Sequence, residues 1–372
     1  TSSTASLTIR GDDLEYNDLA FGFSNSLEST GAVVMESHSN SFSSAFDYEN
    51  FDLDPSVSSV RIGKTTNTAN VVIREPVAMA GPISIYGGDI LLEEDFTSTL
   101  SGADVLVKGR GDVEAVASRS FLTNNGDIVF WSNSDNSGVG SIKLGNDNVL
   151  NSSNGRSGDV DSGGGKITLG GGSGYGTSPT GYSSSSSAPG IKLGTSVSNH
   201  TQFYSGGGDI SIKGSSTATG LVDDRDESGI YQWGRMTMKS GRGAITMQGT
   251  SSEYQGIGFV APVSESDVGA NQLSLISAKT SGTAIQLTGS SSAGVGVGFN
   301  HQNPKEILSL GGGQVTITGT GAGTHGVVMQ NLDLLSTAGS LNVYGGTGGV
   351  SLGDRGVRFG SDAASAVTSS AA

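Results

Sequence analysis

A short phrase recurs along this chain and constrains its fold more than any other feature. In its clearest form, at 206–214, it is a Gly-rich corner, a short alternating strand and a further Gly. Degenerate copies stand at 87–90, 125–128, 164–169, 241–247, 312–317 and 338–343. A unit that returns through most of a chain is typical of repeat architectures, in which each unit buries its apolar face against its neighbours.

Beyond residue 205 the repeat contains three kinds of strand in a fixed order. The first is the Gly-x-Ile-x-Ile type, the second is a Gly-spaced run such as 256–259, and the third leads into the next corner, as 273–277 does. Surface inserts at 171–189 and 217–228 account for unequal repeats, because a longer loop costs little once its ends are fixed. Strands of the first kind begin, at intervals of 35, 40, 30 and 26 residues, near Ile210, Ile245, Ile285, Val315 and Leu341.

Three short strands per turn predict an all-β fold, a right-handed parallel β-helix (β-solenoid) with loop inserts. Alternate side chains would point inward, and the corners would use many of the 60 glycines among 372 residues. At roughly 30 residues per turn we expect about 12 turns and a rod of about 60 Å. An antiparallel β-sandwich ranks behind, because hairpin signals between equal strands are scarce. We expect 1–56 to be a less regular N-terminal β segment that forms the first turns, 57–360 to be the β-helix, and 361–372 to be a Ser/Ala-rich tail.

Composition excludes several classes of function. A formal net charge of −15 disfavours nucleic acid and anionic membrane as partners. The absence of Cys excludes disulfides, thiolate metal sites and a Cys nucleophile. The sequence has no run of about 18 apolar residues, so it predicts no membrane span. The N-terminus carries no basic and apolar signal segment. We interpret the chain as mature protein or as part of something longer.

Several segments resemble the repeat regions of very large bacterial surface proteins, the filamentous-haemagglutinin-like adhesins. The segments are 60–71, 80–90 and 123–135, and the likeness of style extends over roughly 57–352. In that family the shafts are right-handed parallel β-helices. The resemblance implies an extracellular location, on the bacterial cell surface or secreted, an elongated shape, and contact with cells or matrix.

Acidic residues stand at several corners, directly before the first apolar residue of a strand. If they stacked in one row, their carboxylates could hold a hard cation such as calcium. In other repeats the same place holds a different residue such as Lys166 or Ala244, which would interrupt a row. We therefore expect each carboxylate to cap backbone N–H groups at its own turn. The residues concerned are Asp89, Asp112, Asp127 and Asp209.

A second acidic group, in the insert at 217–228, is the only weak candidate for calcium or for catalysis. Parallel β-helices include polysaccharide lyases and hydrolases, which need carboxylates clustered on adjacent turns. Arg225 lies within this group, which favours a solvated charge run. The string 349–353 matches a Gly-x-Ser-x-Gly elbow, but no helical pattern follows it. We expect no enzyme and no cofactor other than, at most, calcium on Asp223, Asp224, Asp226 and Glu227.

Two further features are weak candidates for ligand contact. Arg110-Gly111-Asp112 and its second copy at 10–12 match the integrin-binding tripeptide, although chance in a Gly-rich chain is the favoured interpretation. Exposed aromatic rings can stack on sugars, and Tyr175 and Tyr182 in the Ser/Gly insert are the best candidates. Ice binding would need rows of Thr-x-Thr on a flat face, and 316–318 gives one pair with no row after it.

The sequence thus predicts a non-enzymatic, adhesive shaft of an extracellular bacterial surface protein. Its expected partners are a host or neighbouring cell surface, polysaccharide or matrix. One alternative is a self-assembling fibre or sheath subunit, with association end to end or side by side. The other is a polysaccharide-binding or polysaccharide-cleaving β-helix protein.

Overall fold

The computed structural model describes residues 5–14, 25–27, 30–49, 51–196, 200–220, 224–260, 273–300, 304–322, 325–352 and 357–361. Within these ranges the chain is all-β, as the sequence predicts. The described residues contain two short 3₁₀ segments, η1 (Asp224–Glu227) and η2 (Gly346–Gly348).

The described strands are short, and most have three to five residues. In chain order they are β1 (Leu7–Arg10), β2 (Asn25–Leu27), β3 (Ala32–Glu36), β4 (Phe46–Tyr48), β5 (Phe51–Leu53), β6 (Ser59–Ile62), β7 (Val71–Ile73), β8 (Val77–Met79), β9 (Ile83–Gly87), β10 (Ile90–Leu92), β11 (Phe96–Ser98), β12 (Val105–Gly109), β13 (Val113–Ala115), β14 (Ser120–Thr123), β15 (Ile128–Ser132), β16 (Ile142–Leu144), β17 (Val149–Asn151), β18 (Ile167–Tyr175), β19 (Ser178–Gly181), β20 (Ser183–Ser185), β21 (Ile191–Leu193), β22 (His200–Tyr204), β23 (Ile210–Ser216), β24 (Ile230–Trp233), β25 (Arg235–Lys239), β26 (Ile245–Ser251), β27 (Gln255–Val260), β28 (Leu273–Ser277), β29 (Thr283–Ser291), β30 (Val295–Asn300), β31 (Lys305–Ser309), β32 (Gln314–Gly321), β33 (Val327–Met329), β34 (Leu332–Ser336), β35 (Leu341–Tyr344), β36 (Val350–Leu352) and β37 (Val357–Ser361).

These strands form three long parallel sheets, each of which takes one strand from every turn. Sheet 1 has the order β1-β3-β6-β9-β12-β15-β18-β23-β26-β29-β32-β35, with β19 and β20 beside it. Sheet 2 runs from β4 through β7, β10, β13, β16, β21, β24, β27, β30 and β33 to β36. Sheet 3 runs from β8 through β11, β14, β17, β22, β25, β28, β31 and β34 to β37, and β2 pairs with β5 separately. This order is that of a parallel β-helix with three strands per turn, so the predicted architecture is confirmed.

Inward-facing side chains stack in columns that hold the turns in register. The first column of sheet 1 contains only Leu, Val and Ile, and from Val33 onward every member is buried. Because each side chain lies on an equivalent one about 4.8 Å away, the core continues through all the stacked turns. The column is Leu7, Val33, Val60, Ile83, Val105, Ile128, Ile167, Ile210, Ile245, Ile285, Val315 and Leu341.

The recurring phrase marks two different corners, which the sequence does not distinguish. At 206–214 and 241–247 it leads into sheet 1, as the repeat pattern predicts. At 87–90, however, it leads into β10 of sheet 2, because 83–85 already supplies the sheet 1 strand of that turn. The Gly-rich corner therefore signals a bend, and only the register shows which bend it is.

Turn length varies widely, whereas the rise per turn is set by strand pairing. The interval is 22 residues from Ile83 to Val105 and 43 residues from Ile167 to Ile210. The path of sheet 1 has twelve described strands, so its eleven steps span about 53 Å, slightly less than the expected rod.

One glycine in sheet 1 shows why these corners are tight. A Cβ atom on Gly249 would lie 1.9 Å from the carbonyl oxygen of Gly256, which belongs to the following strand. Since β26 bends here to pass around the corner, no side chain can fit between the two backbones. Equivalent glycines on neighbouring turns are Gly214, Gly289 and Gly319.

Buried serines form a polar column inside the corner between sheet 3 and sheet 1. The hydroxyl groups of Ser240 and Ser309 donate to the carbonyl oxygens of Gly243 and Gly313, each at 2.7 Å. These serine hydroxyls supply buried hydrogen bonds to carbonyl oxygens at the corner, and the carbonyl oxygen of Gly243 also accepts the hydroxyl of Ser277. The same position in other turns holds Ser152, Ser205 and Ser277.

The low-complexity insert at 171–189 is a folded element. The end of β18 and β19 pair in an antiparallel hairpin, and β20 then pairs in parallel with β23. The hairpin is seated on the outer side of sheet 1, where the indole N–H of Trp131 donates to the carbonyl oxygen of Gly172 at 2.9 Å. Trp131 is buried as a result.

Candidate interaction surface

The acidic insert at 217–228 does not assemble a cation site among its described residues. Asp224 begins η1, and the carboxylate of Asp226 pairs with the ammonium of Lys192 at 2.9 Å. Glu227 is buried. Asp223 lies outside the described residues. Across the described ranges, no three His, Asp or Glu side chains stand close enough together to hold a metal ion.

The corner carboxylates act as backbone caps, but they bond to the following turn and not to their own. An oxygen of Asp89 accepts the N–H of Asp112 at 2.9 Å, and an oxygen of Asp127 accepts the N–H of Lys166 at 2.7 Å. Asp209 accepts the N–H of Ala244 in the same way at 2.8 Å. The expected capping at the same turn is therefore wrong. Each carboxylate joins two consecutive turns at a corner, in addition to the backbone hydrogen bonds that the carbonyl oxygens of these residues accept from the adjacent turn.

The tripeptide Arg110-Gly111-Asp112 lies at the corner before β13. The carboxylate of Asp112 accepts the N–H and the hydroxyl of Ser141, and it pairs with the Lys143 ammonium at 2.7 Å. Burial alone would raise the pKa of Asp112, but the bonds from Lys143 and Ser141 outweigh it and hold this pKa below the usual range. In this conformation the carboxylate is bound within the solenoid. In the second copy, Arg10 pairs with Glu36, and the carboxylate of Asp12 accepts the N–H of Ser39.

A shallow groove of about 260 Å³ lies on the outer side of sheet 2 near this corner. Its floor includes Val72 and Leu91, and its acidic rim includes Asp89, Asp112 and Glu114. The first two carboxylates are the turn-joining caps described above. Hydrogen bonds to the backbone therefore hold these two carboxylates in place.

The two candidate tyrosines belong to the hairpin that covers Trp131. Tyr175 ends β18 and is 87% exposed, whereas Tyr182 follows β19 and is 36% exposed. The ammonium of Lys213 donates to the carbonyl oxygen of Thr180 at 3.3 Å and connects the hairpin to the next turn of sheet 1. Tyr175 is thus an exposed ring on an anchored element.

The structure reveals a surface that sequence reasoning missed, on the outer side of sheet 1 where β26, β29 and β32 pair. Nine outward side chains form a grid of three columns and three rows, which we call the polar face. The columns are Thr246, Gln286 and Thr316; Gln248, Thr288 and Thr318; and Thr250, Ser290 and Thr320. Gln286, Ser290 and Gln248 interrupt the Thr pattern on the two neighbouring strands, so, as expected, no regular set of Thr-x-Thr rows follows the pair at 316–318.

Unequal turn lengths hide this grid in the sequence, because 40 and then 30 residues separate equivalent positions. One signal could have found it: a glycine that stands at the same place in each row. Gly249, Gly289 and Gly319 are in register, so the outward residues three and one positions before each glycine, and one position after it, align from turn to turn. Continuing rows are Ser211, Lys213 and Ser215 on one side and Asn342 and Tyr344 on the other.

The side chains of the polar face form almost no hydrogen bonds with the residues that the structure describes. Among the described residues, one hydrogen bond involves the nine, from the hydroxyl of Thr250 to that of Ser215 at 2.8 Å. The other eight make no side-chain hydrogen bond to a described residue. The buried serines and corner aspartates, by contrast, are bonded to backbone. The donors and acceptors of the polar face therefore point to the surroundings.

Lys305 is a charged residue on the inner side of the solenoid. Lys305 is 2% exposed and occupies an inner column of sheet 3, between Leu273 on one turn and Leu332 on the next. Its ammonium donates to the carbonyl oxygen of Gln330 at 3.2 Å. Burial lowers the pKa of Lys305 to about 8, because the charged form loses hydration in an apolar column.

Comparison with known proteins yields no relative. No family model, no curated protein and no solved structure matches the chain. The structure also has, within the described ranges, no apolar helix of membrane-spanning length.

Proposed function

We propose that this chain is a non-enzymatic, adhesive shaft segment of an extracellular bacterial surface protein. The observation that carries the proposal is the unbroken stack of turns, in which one core column of Leu, Val and Ile extends along the whole of sheet 1. Such a stack adds about 4.8 Å of length for every turn, and the strands of its three long sheets pair along each sheet with those of adjacent turns. These are the properties of a spacer. The likeness of 57–352 to the shafts of filamentous-haemagglutinin-like adhesins supports the extracellular setting.

The bonding of the carboxylates supports a non-enzymatic role. Polysaccharide lyases and hydrolases need carboxylates that are free to bridge a cation or to flank a glycosidic bond. In the described part of this chain the corner carboxylates of Asp89, Asp112, Asp127 and Asp209 are bonded to backbone N–H groups. Carboxylates held in this way contribute to joining the stacked turns and are poorly placed for catalysis.

The test is negative-stain imaging and small-angle scattering of the purified chain, with and without calcium. Isolated rods at least about 53 Å long, unchanged by calcium, are the expected result. Ordered filaments or side-by-side sheets would favour the alternative of a self-assembling fibre subunit. A compact particle would contradict the shaft proposal.

A further inference from the structure

We propose that the polar face binds a neutral polysaccharide that presents a flat, ordered array of hydroxyl groups. The proposal rests on the adhesive function above and gives that function a site and a class of ligand. It follows from the composition of the face, its size, and the charge of the rest of the molecule.

The polar face is uncharged within a strongly acidic protein. None of its nine side chains is ionisable, whereas the same side of sheet 1 carries Arg10, Glu36, Arg61 and Lys108 on earlier turns. The formal net charge of −15 disfavours anionic polysaccharides. A neutral ligand can approach this face without burying an unpaired charge, which would be costly.

The chemistry of the face matches hydroxyl groups. Thr and Ser hydroxyls and the Gln amide can each both donate and accept a hydrogen bond, as sugar hydroxyls do. Six of the nine residues are Thr in extended strands, and their β-branched side chains have restricted χ1 angles. Binding would therefore immobilise few side-chain rotamers, which favours affinity.

The geometry favours a flat and regular partner. Equivalent residues on successive turns lie about 4.8 Å apart, and residues i and i+2 of one strand lie about 6.6 Å apart. The grid repeats in two directions, so a partner with its own ordered surface can make many equivalent contacts. An ordered polysaccharide also loses less conformational freedom on binding than a flexible chain does.

The size of the face argues against a second copy of this chain as the occupant. The polar face measures about 10 Å by 13 Å, or about 130 Å². A stable protein–protein interface needs about 800 Å² from each partner. A surface this small binds usefully when many copies of it, or many sites on the ligand, act together.

The experiment is a depletion assay with the purified chain on microcrystalline cellulose and insoluble mannan, with polygalacturonate as the anionic comparison. We expect binding to at least one neutral polysaccharide and none to polygalacturonate. In the double variant Thr288→Glu and Thr318→Glu, the central column becomes charged, and the dissociation constant should rise at least about tenfold. The matched control is Thr97→Glu, an outward half-buried position on sheet 3. It should bind like the unmodified chain.

A second double variant, Thr288→Val and Thr318→Val, separates hydrogen bonding from folding. Val keeps the shape and the strand preference of Thr but lacks the hydroxyl, so binding should weaken while the circular dichroism spectrum and melting temperature are retained. The proposal would be overturned if the chain bound neither of the neutral polysaccharides, or if both double variants bound as well as the unmodified chain. A different outcome is that the unmodified chain inhibits ice growth or self-associates in sedimentation. If only the polar-face variants abolished that activity, the face would have another occupant and the proposal would be overturned. Rod-shaped particles that fail to bind would leave the shaft function intact.

Discussion

Replacing Lys305 by Met should stabilise the protein at neutral pH, and the gain should disappear at alkaline pH. Lys305 is enclosed between leucines of adjacent turns, and Met236 already occupies the same inner column two turns earlier. A Met side chain of similar length therefore suits the position without an ammonium group to desolvate.

The magnitude follows from the pKa of Lys305. Burial lowers this pKa from 10.5 to about 8, and each pKa unit corresponds to 1.36 kcal/mol. The charged form is thus penalised by about 3 kcal/mol in the folded state. Because the folded pKa lies below the unfolded one, the unfolded chain binds the extra proton between about pH 8 and pH 10.5, and stability rises with pH across this window. The penalty is full below about pH 8 and absent above about pH 10.5.

The assay is urea unfolding followed by far-ultraviolet circular dichroism at a series of pH values from 7 to 11, for both proteins. The quantity of interest is the difference in unfolding free energy between the Lys305→Met variant and the unmodified chain. It should approach about 3 kcal/mol at pH 7 and shrink as pH rises through the window. Lys166→Met, at an exposed corner, controls for other groups that titrate there. A difference that is independent of pH, or a variant less stable at pH 7, would refute the reasoning.

Three other substitutions test the contacts that hold the stacked turns and the hairpin together. Gly249→Ala should lower the unfolding free energy by at least about 2 kcal/mol, because its Cβ would meet the carbonyl oxygen of Gly256 at 1.9 Å; urea unfolding measures it. Asp112→Asn removes the charge that pairs with Lys143 and should cost about 1 kcal/mol at pH 7, since the pair is partly exposed. The lowered pKa of Asp112 makes this contribution present above the usual Asp range and lost as pH falls through the folded value, so acid titration should bring the two proteins together. Trp131→Ala should expose the hairpin at 171–185 to limited proteolysis while the core melts as before, and simultaneous loss of both would contradict a separately anchored hairpin.

Much of the fold could be predicted from the sequence because the signals are local. Gly corners and alternating strands give three strands per turn, and the strand starts at Ile210, Ile245 and Ile285 stack in register as expected. The phrase at 87–90 resembles the others although it leads into sheet 2, because the local chemistry is the same at both bends. Register depends on pairing with other turns, which no single repeat encodes.

The candidate surfaces were harder to predict for the same reason. The polar face becomes apparent only when turns of unequal length are aligned. In the sequence alone, the Thr-x-Thr pair at 316–318 is isolated and does not indicate a surface. Lys305 could have been recognised, because Ile307 faces inward and strand alternation places Lys305 on the same side. The hairpin over Trp131 could not, since its Ser/Gly-rich sequence has no strand pattern of its own and depends on the indole ring beneath it.

The bonds between a corner carboxylate and the following turn also bear on how such a chain can change length over evolution. Asp104 accepts the N–H of Asp127, and Asp127 accepts that of Lys166. A genetic deletion of residues 105–127 would join Asp104 directly to Ile128, so the new corner would again have an aspartate before an isoleucine. Loss or duplication of one whole turn therefore leaves matched corners and a continuous core column. Recombination can therefore change the length of the solenoid in steps of about 4.8 Å, and each intermediate chain remains able to fold.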